Sequence, residues 1–236
     1  DSIVNRYDRQ ELIEGWQQQK LSGAKVAVVG ANALANYTSL TLSALGFGNI
    51  EIFGSGRVTE EMLLNYEEND RMPDYSSGFL YFDSLAGDSK AEAIAQFISK
   101  VNPLISASGI NIDLCRAGNI NVIGKPDIIF ETTNDPASKI TVLEYAAKNR
   151  IPVISMSSST VSVGVGVFNP RSRRDDIKKL IENIVFTEYR DQKQGTTTSM
   201  VISGLAVDEA RKYLMPIRNE RIIDDIVVYN LSSGTR

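Results

Sequence analysis

Residues 24 to 58, AKVAVVGANALANYTSLTLSALGFGNIEIFGSGRV, read as strand, tight turn, helix and strand, and no other stretch narrows the choice of fold as far. The apolar run Lys25 to Val29 meets Gly30 where a dinucleotide-binding fingerprint GxGxxG would begin, but the second and third glycine positions hold Asn32 and Ala35. Each of those glycines has its own physical role. The first makes the turn out of the strand, which Gly30 can still do. The second lets backbone approach a phosphate, so Asn32 sets a side chain where a ligand would lie. The third lets helix and strand pack closely, and alanine costs little there. The second strand ends IEIFGSGRV, and Gly54 and Gly56 stand where an acidic side chain would accept hydrogen bonds from ribose hydroxyls. The stretch therefore predicts the βαβ frame of a nucleotide-binding fold from which the ligand-holding groups have been lost.

The rest of the chain extends that frame. Ser2 to Gln19 has helix-like apolar spacing with breaks at Gly15 and Gly23, and reads as a helical arm over residues 1–22. Thr59 to Arg71 is acidic and helix-compatible, and Ser89 to Val101 has amphipathic helical periodicity closed by Asn102-Pro103. Strands are expected at Ser106 to Leu114, Asp127 to Glu131 and Ile151 to Met156, with a helix at Ala137 to Asn149. This alternation predicts a doubly wound, mostly parallel sheet. SSSTVSVGVGVFNP at 157 to 170 alternates apolar and small polar residues, as an antiparallel strand would. Gln194 to Thr198 reads as flexible, followed by a helix from Ser199 to Leu214 and a last strand at Ile226 to Tyr229. All 236 residues are expected to form one domain.

Composition excludes several functions. A net charge of −4 argues against a general nucleic-acid grip, and the basic run RSRRDD at 171 to 176 is offset by its own aspartates and reads as solvated. With no His and one Cys, neither a metal site nor an intramolecular disulfide is expected. Cys115 reads as a small buried hydrophobe rather than a nucleophile. No apolar stretch approaches the roughly 18 residues of a membrane span. The opening DSIVNRYDRQ lacks the regions of a signal peptide, so a cytoplasmic protein without membrane contact is expected.

Seven motifs in register carry a resemblance: RYDRQ at 6 to 10, the turn at Gly30, LSALGFGNIEIF at 42 to 53, GDSKAEA at 87 to 93, VNP at 101 to 103, DIIFETTND at 127 to 135 and IPVIS at 151 to 155. Together they resemble the ubiquitin-activating-enzyme superfamily, the ThiF/MoeB/HesA type, over nearly the whole chain. The resemblance implies a Rossmann-like α/β fold with an antiparallel second half. It also implies a dimer that binds ATP and adenylates the C-terminal glycine of a ubiquitin-like or sulfur-carrier protein, the two sites exchanging an arginine.

Carried across residue by residue, the resemblance makes Arg9 the arginine that reaches into the partner's nucleotide site and Lys90 the lysine that contacts ATP phosphates. Gly54 stands at the ribose-binding aspartate, and the Asn, Arg and Gln that follow strand two fall on Met62, Asn65 and Tyr66. Asn134 stands at the aspartate that binds the magnesium of ATP, where Glu131 and Asp135 lie near enough in sequence to substitute in part. The paired CxxC zinc ligands have no counterpart, so no zinc is expected. The crossover-like segment 171–198 holds no Cys for a thioester.

Bland alternatives accompany these assignments. Arg9 can be a helix arginine paired with Asp8 or Glu11, and Lys90 a solvated helix-start lysine. Asn134-Asp135-Pro136 suits any helix N-terminus, with Asp135 as cap. The aromatic stretch Tyr66, Tyr75, Phe79, Tyr81 and Phe82 reads as core before it reads as a cover for the cleft. The kept arginine beside lost ATP ligands leads to the preferred expectation of a pseudoenzyme subunit. Such a subunit would form a homodimer, or a heterodimer with an active family member, and would need no cofactor of its own. The alternatives are a divergent adenylyltransferase working with ATP and magnesium, and a peptide or small-molecule binding module that reuses the cleft.

Overall fold

The computed structural model describes residues 5–63, 86–133, 135–159, 162–169, 196–223, 226–231 and 233. Two short helices, α1 (Asp8–Glu11) and α2 (Gln18–Ser22), precede β1 (Lys25–Val29), α3 (Ala33–Leu45), β2 (Asn49–Phe53) and α4 (Glu60–Leu63). Then follow α5 (Lys90–Val101), β3 (Ser106–Ile110), a 3-10 turn at Asn119–Ile123, β4 (Ile128–Glu131), α6 (Pro136–Asn149), β5 (Val153–Ser158), β6 (Ser162–Phe168), α7 (Thr196–Leu214) and β7 (Ile226–Asn230).

The strands form one sheet in the order β3-β2-β1-β4-β5-β6-β7. The pairs from β3 through β5 are parallel, while β6 and β7 run antiparallel. β1 is central, and its register pairs Val29 with Phe53 on one side and with Glu131 on the other. Its side chains alternate between faces as strand geometry requires. Val26 and Val28 pack with α3, α5 and α7, whereas Ala27 and Val29 pack with α6. Burial on both faces explains the continuous apolar run KVAVV.

Local chemistry sets the helix ends. Asn32, Ser89 and Asp135 cap α3, α5 and α6, accepting from the backbone N–H of Ala35, Glu92 and Ser138. Pro136 takes the first position of α6, where its missing N–H is harmless. α3 ends at Gly46, whose φ of 90° is left-handed and whose missing side chain makes room for the ring of Tyr7.

Several boundaries differ from the sequence expectation. The third strand stops at Ile110 rather than Leu114. Ser157 and Ser158 belong to β5, so the antiparallel strand starts only at Ser162. α7 begins at Thr196, inside the run read as flexible, because the buried Thr198 hydroxyl donates to the Ser159 carbonyl at 2.8 Å and anchors that turn. Asn65, the aromatic stretch from Tyr66 to Phe82, Asn134 and RSRRDD lie outside the described residues, as does most of the crossover-like segment. Among the described residues no helix is long and apolar enough to cross a membrane.

Candidate functional site

The chain leaves β1 for β2 on one side of the sheet and reaches β4 on the other, so the strand order switches between β1 and β4. Ligands of open α/β sheets bind outside the strand ends at such a point. A cavity of about 290 Å³ opens there. Val29, Phe53, Ile112, Leu114 and Val142 give it apolar walls, and Asn32, Ser55, Lys90, Asp113, Cys115, Thr133 and Ser138 add polar groups.

Its floor is the turn at Gly30, held from both sides. The Gly30 N–H donates to the Phe53 carbonyl at 2.8 Å, while the Thr132 N–H and hydroxyl donate to Val29 O at 3.0 and 2.7 Å. A Cβ on Gly30 would lie 2.3 Å from the Thr132 hydroxyl, and the residue has φ of 122°. Both facts demand glycine. Asn32 lines the cavity, but both ends of its amide serve the protein. Oδ1 caps α3, and Nδ2 donates to Thr132 O at 2.8 Å, strapping the helix start to the end of β4.

Gly54 is closed in more tightly. A Cβ there would stand 2.7 Å from the Ala31 Cβ and 3.0 Å from the Ala31 nitrogen, so the β1–α3 turn occupies the room a side chain would need. Lys90, the first residue of α5, is half-buried on the cavity wall, with its stem beside Gly56. Gly30, Asn32, Gly54 and Lys90 thus share one cavity. Met62 packs against the core instead.

Glu131 is not the accessible carboxylate that its sequence position suggests. It is fully buried. Oε2 pairs with Lys139 and accepts from Ser155 Oγ at 2.9 Å; Oε1 accepts from the N–H of Thr133 at 2.8 Å and from its hydroxyl. Lys139 also donates to Met156 O at 2.8 Å. Lys139 and Ser155 lie inside the protein, and Glu131 is not among the residues that line the cavity. Asp135 is exposed, and Oδ2 accepts from both the N–H and the hydroxyl of Ser138 at 2.8 Å. The Ser138 hydroxyl holds the Asp135 carboxyl below its ordinary range. Among the described residues no three metal-ligating side chains come together.

Cys115 is exposed, not buried as expected. The strand ends early, and an Asx turn in which Asp113 Oδ1 accepts from the Cys115 N–H at 3.0 Å carries the thiol to the cavity rim. Its sulfur lies 2.9 Å from Ser138 Oγ. The serine hydrogen is committed to Asp135, so the thiol must be the donor in this contact.

Arg9 is not brought to this cavity. α1 sits where Tyr7 meets Gly46, at the C-terminal end of α3, whereas the cavity is at the N-terminal end. The 13 residues of α3 put about 20 Å between them. Nor is Arg9 locally paired. Among the described residues it has no hydrogen-bond or ion-pair partner, and Glu11 accepts instead from Asn5 at 3.1 Å.

Sequence reasoning missed Thr133, Ser138 and Lys139. The pattern Asp135-x-x-Ser138 at a helix start was the available signal for Ser138, because that spacing is the reach of an N-cap. Nothing in the sequence singled out Lys139 as the partner of Glu131.

Comparison with known proteins puts these features in context. The profile described as ThiF family matches residues 7–236. The adenylyltransferase and sulfurtransferase UBA4 of Yarrowia lipolytica is 26% identical over 170 residues, covering 70% of this chain and 39% of that protein. The molybdopterin-synthase adenylyltransferase of Escherichia coli is 23% identical over 171 residues, covering 71% of this chain and 64% of that one. The chain thus matches less than two thirds of the length of either. Among solved structures, E. coli MccB superposes with a TM-score of 0.75 at 18% identity over 97% of this chain and 67% of that one. PaaA gives 0.74 at 16% identity, covering 99% and 83%. At these identities the two superpositions establish the fold.

Proposed function

The chain belongs to the ThiF family, and we propose that it is a subunit with a degenerate nucleotide site that supports, from within a dimer, adenylation by a partner. The observation that carries this reading is the packing at Gly54. The position that would offer an acid to a ribose is filled by the Ala31 turn, so the loss is built into the backbone rather than confined to one side chain. The burial of Glu131 against Lys139 supports it further, as does the use of both ends of the Asn32 amide. Arg9, exposed, without a partner among the described residues and about 20 Å from the chain's own cavity, suits action on another subunit. The substrate of the pair would be the C-terminus of a ubiquitin-like or sulfur-carrier protein in the cytoplasm. No nucleic acid, membrane or zinc enters the reading.

A divergent adenylyltransferase is the second reading, favoured by Lys90 on the wall of an open cavity. It has to find a magnesium ligand other than Glu131. A module binding peptides or small molecules in the same cavity is the third.

The deciding experiment mixes the protein with active ThiF-family adenylyltransferases of the same cell and measures ATP–pyrophosphate exchange with wild type and Arg9→Ala. Exchange should rise with the wild-type protein and fall about 10-fold or more with the variant, because a guanidinium acting on developing phosphate charge contributes at least that much. Exchange by this chain alone would favour the second reading, and indifference to Arg9→Ala with every partner would overturn the first.

A further inference from the structure

The motifs RYDRQ and VNP contribute nothing to the cavity, yet the structure joins them across 95 residues. Tyr7 OH accepts from Nδ2 of Asn102 at 2.7 Å, and the second hydrogen of that amide goes to the Ser43 carbonyl, also at 2.7 Å. Oδ1 of Asn102 accepts from the Leu104 N–H at 3.1 Å. These partners leave one orientation for the amide, since Ser43 O can only accept and the Leu104 N–H can only donate. Both Asn102 and Tyr7 are buried. One residue before Tyr7, the Arg6 guanidinium donates to the carbonyl of Val101, the last residue of α5, at 3.0 Å.

Consecutive arm residues therefore grip the C-terminal end of α5, and Asn102 ties that end to the last turn of α3. The Tyr7 ring fills the space beside Gly46, where a Cβ would come within 2.6 Å of it. The Tyr7 carbonyl in turn starts α1, accepting from the N–H of Gln10 and of Glu11 at 2.9 and 3.0 Å. These contacts lie next to α1, which carries Arg9.

Resting on the trans-acting reading of Arg9 above, we infer that Tyr7 and Asn102 are positioning residues. They latch α1 to the ends of α3 and α5, so that Arg9 is presented to a partner from a fixed platform and not from a loosely held helix. A group that acts on developing charge loses much of its effect when displaced by about 1 Å, so the latch matters to rate as well as to folding.

Two variants test this. Tyr7→Phe keeps the ring against Gly46 and removes the hydroxyl. Asn102→Asp keeps the shape and removes both donors. Hydrogen exchange at the amides of residues 8–11 is measured on each purified protein, and ATP–pyrophosphate exchange in the mixing assay is resolved into kcat and KM for ATP. The expected result is faster amide exchange over 8–11, by about tenfold or more, with a lower kcat and an unchanged KM. Should Asn102→Asp not fold, Tyr7→Phe carries the test.

Unchanged protection of residues 8–11 in a folded variant overturns the latch. Loosened amides with full activity, in a mixture that Arg9→Ala disables, overturn the positioning role. Loosened amides with no response to any of the variants, Arg9→Ala included, overturn the trans-acting reading and the positioning role with it.

Discussion

Gly54 is where a single residue most directly limits what the cavity can hold. Its missing side chain was legible in IEIFGSGRV, but the reason for it was not, because the crowding comes from Ala31 on a different strand-to-helix turn. Introducing an acid there should therefore not create an ATP site. Gly54→Asp places a Cβ 2.7 Å from the Ala31 Cβ, and overpacking of this kind costs about 1–3 kcal/mol. In a protein of this size each kcal/mol lowers the melting temperature by about 2–4 °C. The variant should melt several degrees lower and gain no ATP affinity in a calorimetric titration. A fully stable Gly54→Asp that binds ATP would show that the turn yields freely. Cys115 gives the opposite lesson. Composition suggested burial, and the early end of β3 at Ile110 brought the thiol to the surface.

At the scale of elements, the joint between β4, α6 and β5 rests on the buried pair Glu131–Lys139. Removing one partner of such a pair leaves a charge with no compensation in a dry environment, at a cost of about 3–5 kcal/mol, whereas replacing both by apolar residues can be nearly neutral. Urea denaturation should show Lys139→Met losing stability in that range and Glu131→Leu/Lys139→Met recovering most of it. A single variant as stable as wild type would mean that the pair does not hold this joint together. A second joint closes the C-terminal end of α7. Arg211 binds Asp208 at 2.8 Å and pairs with Glu220, whose carboxylate also accepts from the Ile217 N–H at 3.0 Å.

The Arg211 hydrogen bond holds the Glu220 carboxyl at about 2, below its ordinary 4.5. A carboxyl depressed in the folded state stabilises the protein above its unfolded value, and that stability is lost as pH falls through the folded value. The window therefore runs from about 4.5 down to about 2. Melting temperature followed from pH 7 to pH 3 should fall more steeply for wild type than for Glu220→Gln, and parallel curves would remove this joint from the acid response.

For the molecule as a whole, the consequence is a ThiF-family fold whose cavity should hold ATP weakly. A ligand at 1,000 times its dissociation constant stabilises the native state by about 4 kcal/mol. An intact micromolar site would thus raise the melting temperature by roughly 8–16 °C in millimolar ATP with magnesium. A shift below about 2 °C is expected here, and a large one would point to the divergent adenylyltransferase. The amino-acid sequence on its own determined the alternation of strands and helices, the cap at Asp135, and the absence of acids at Gly54 and Gly56. These are properties of a few neighbouring residues, set by backbone preferences and the reach of one side chain. Only the tertiary structure decided that Glu131 is sealed by Lys139, that Ala31 fills the space at Gly54, that Tyr7 meets Asn102, and that α3 separates Arg9 from the chain's own cavity. Each of these depends on how the elements pack against one another and on which way the side chains face, and no local pattern encodes such contacts.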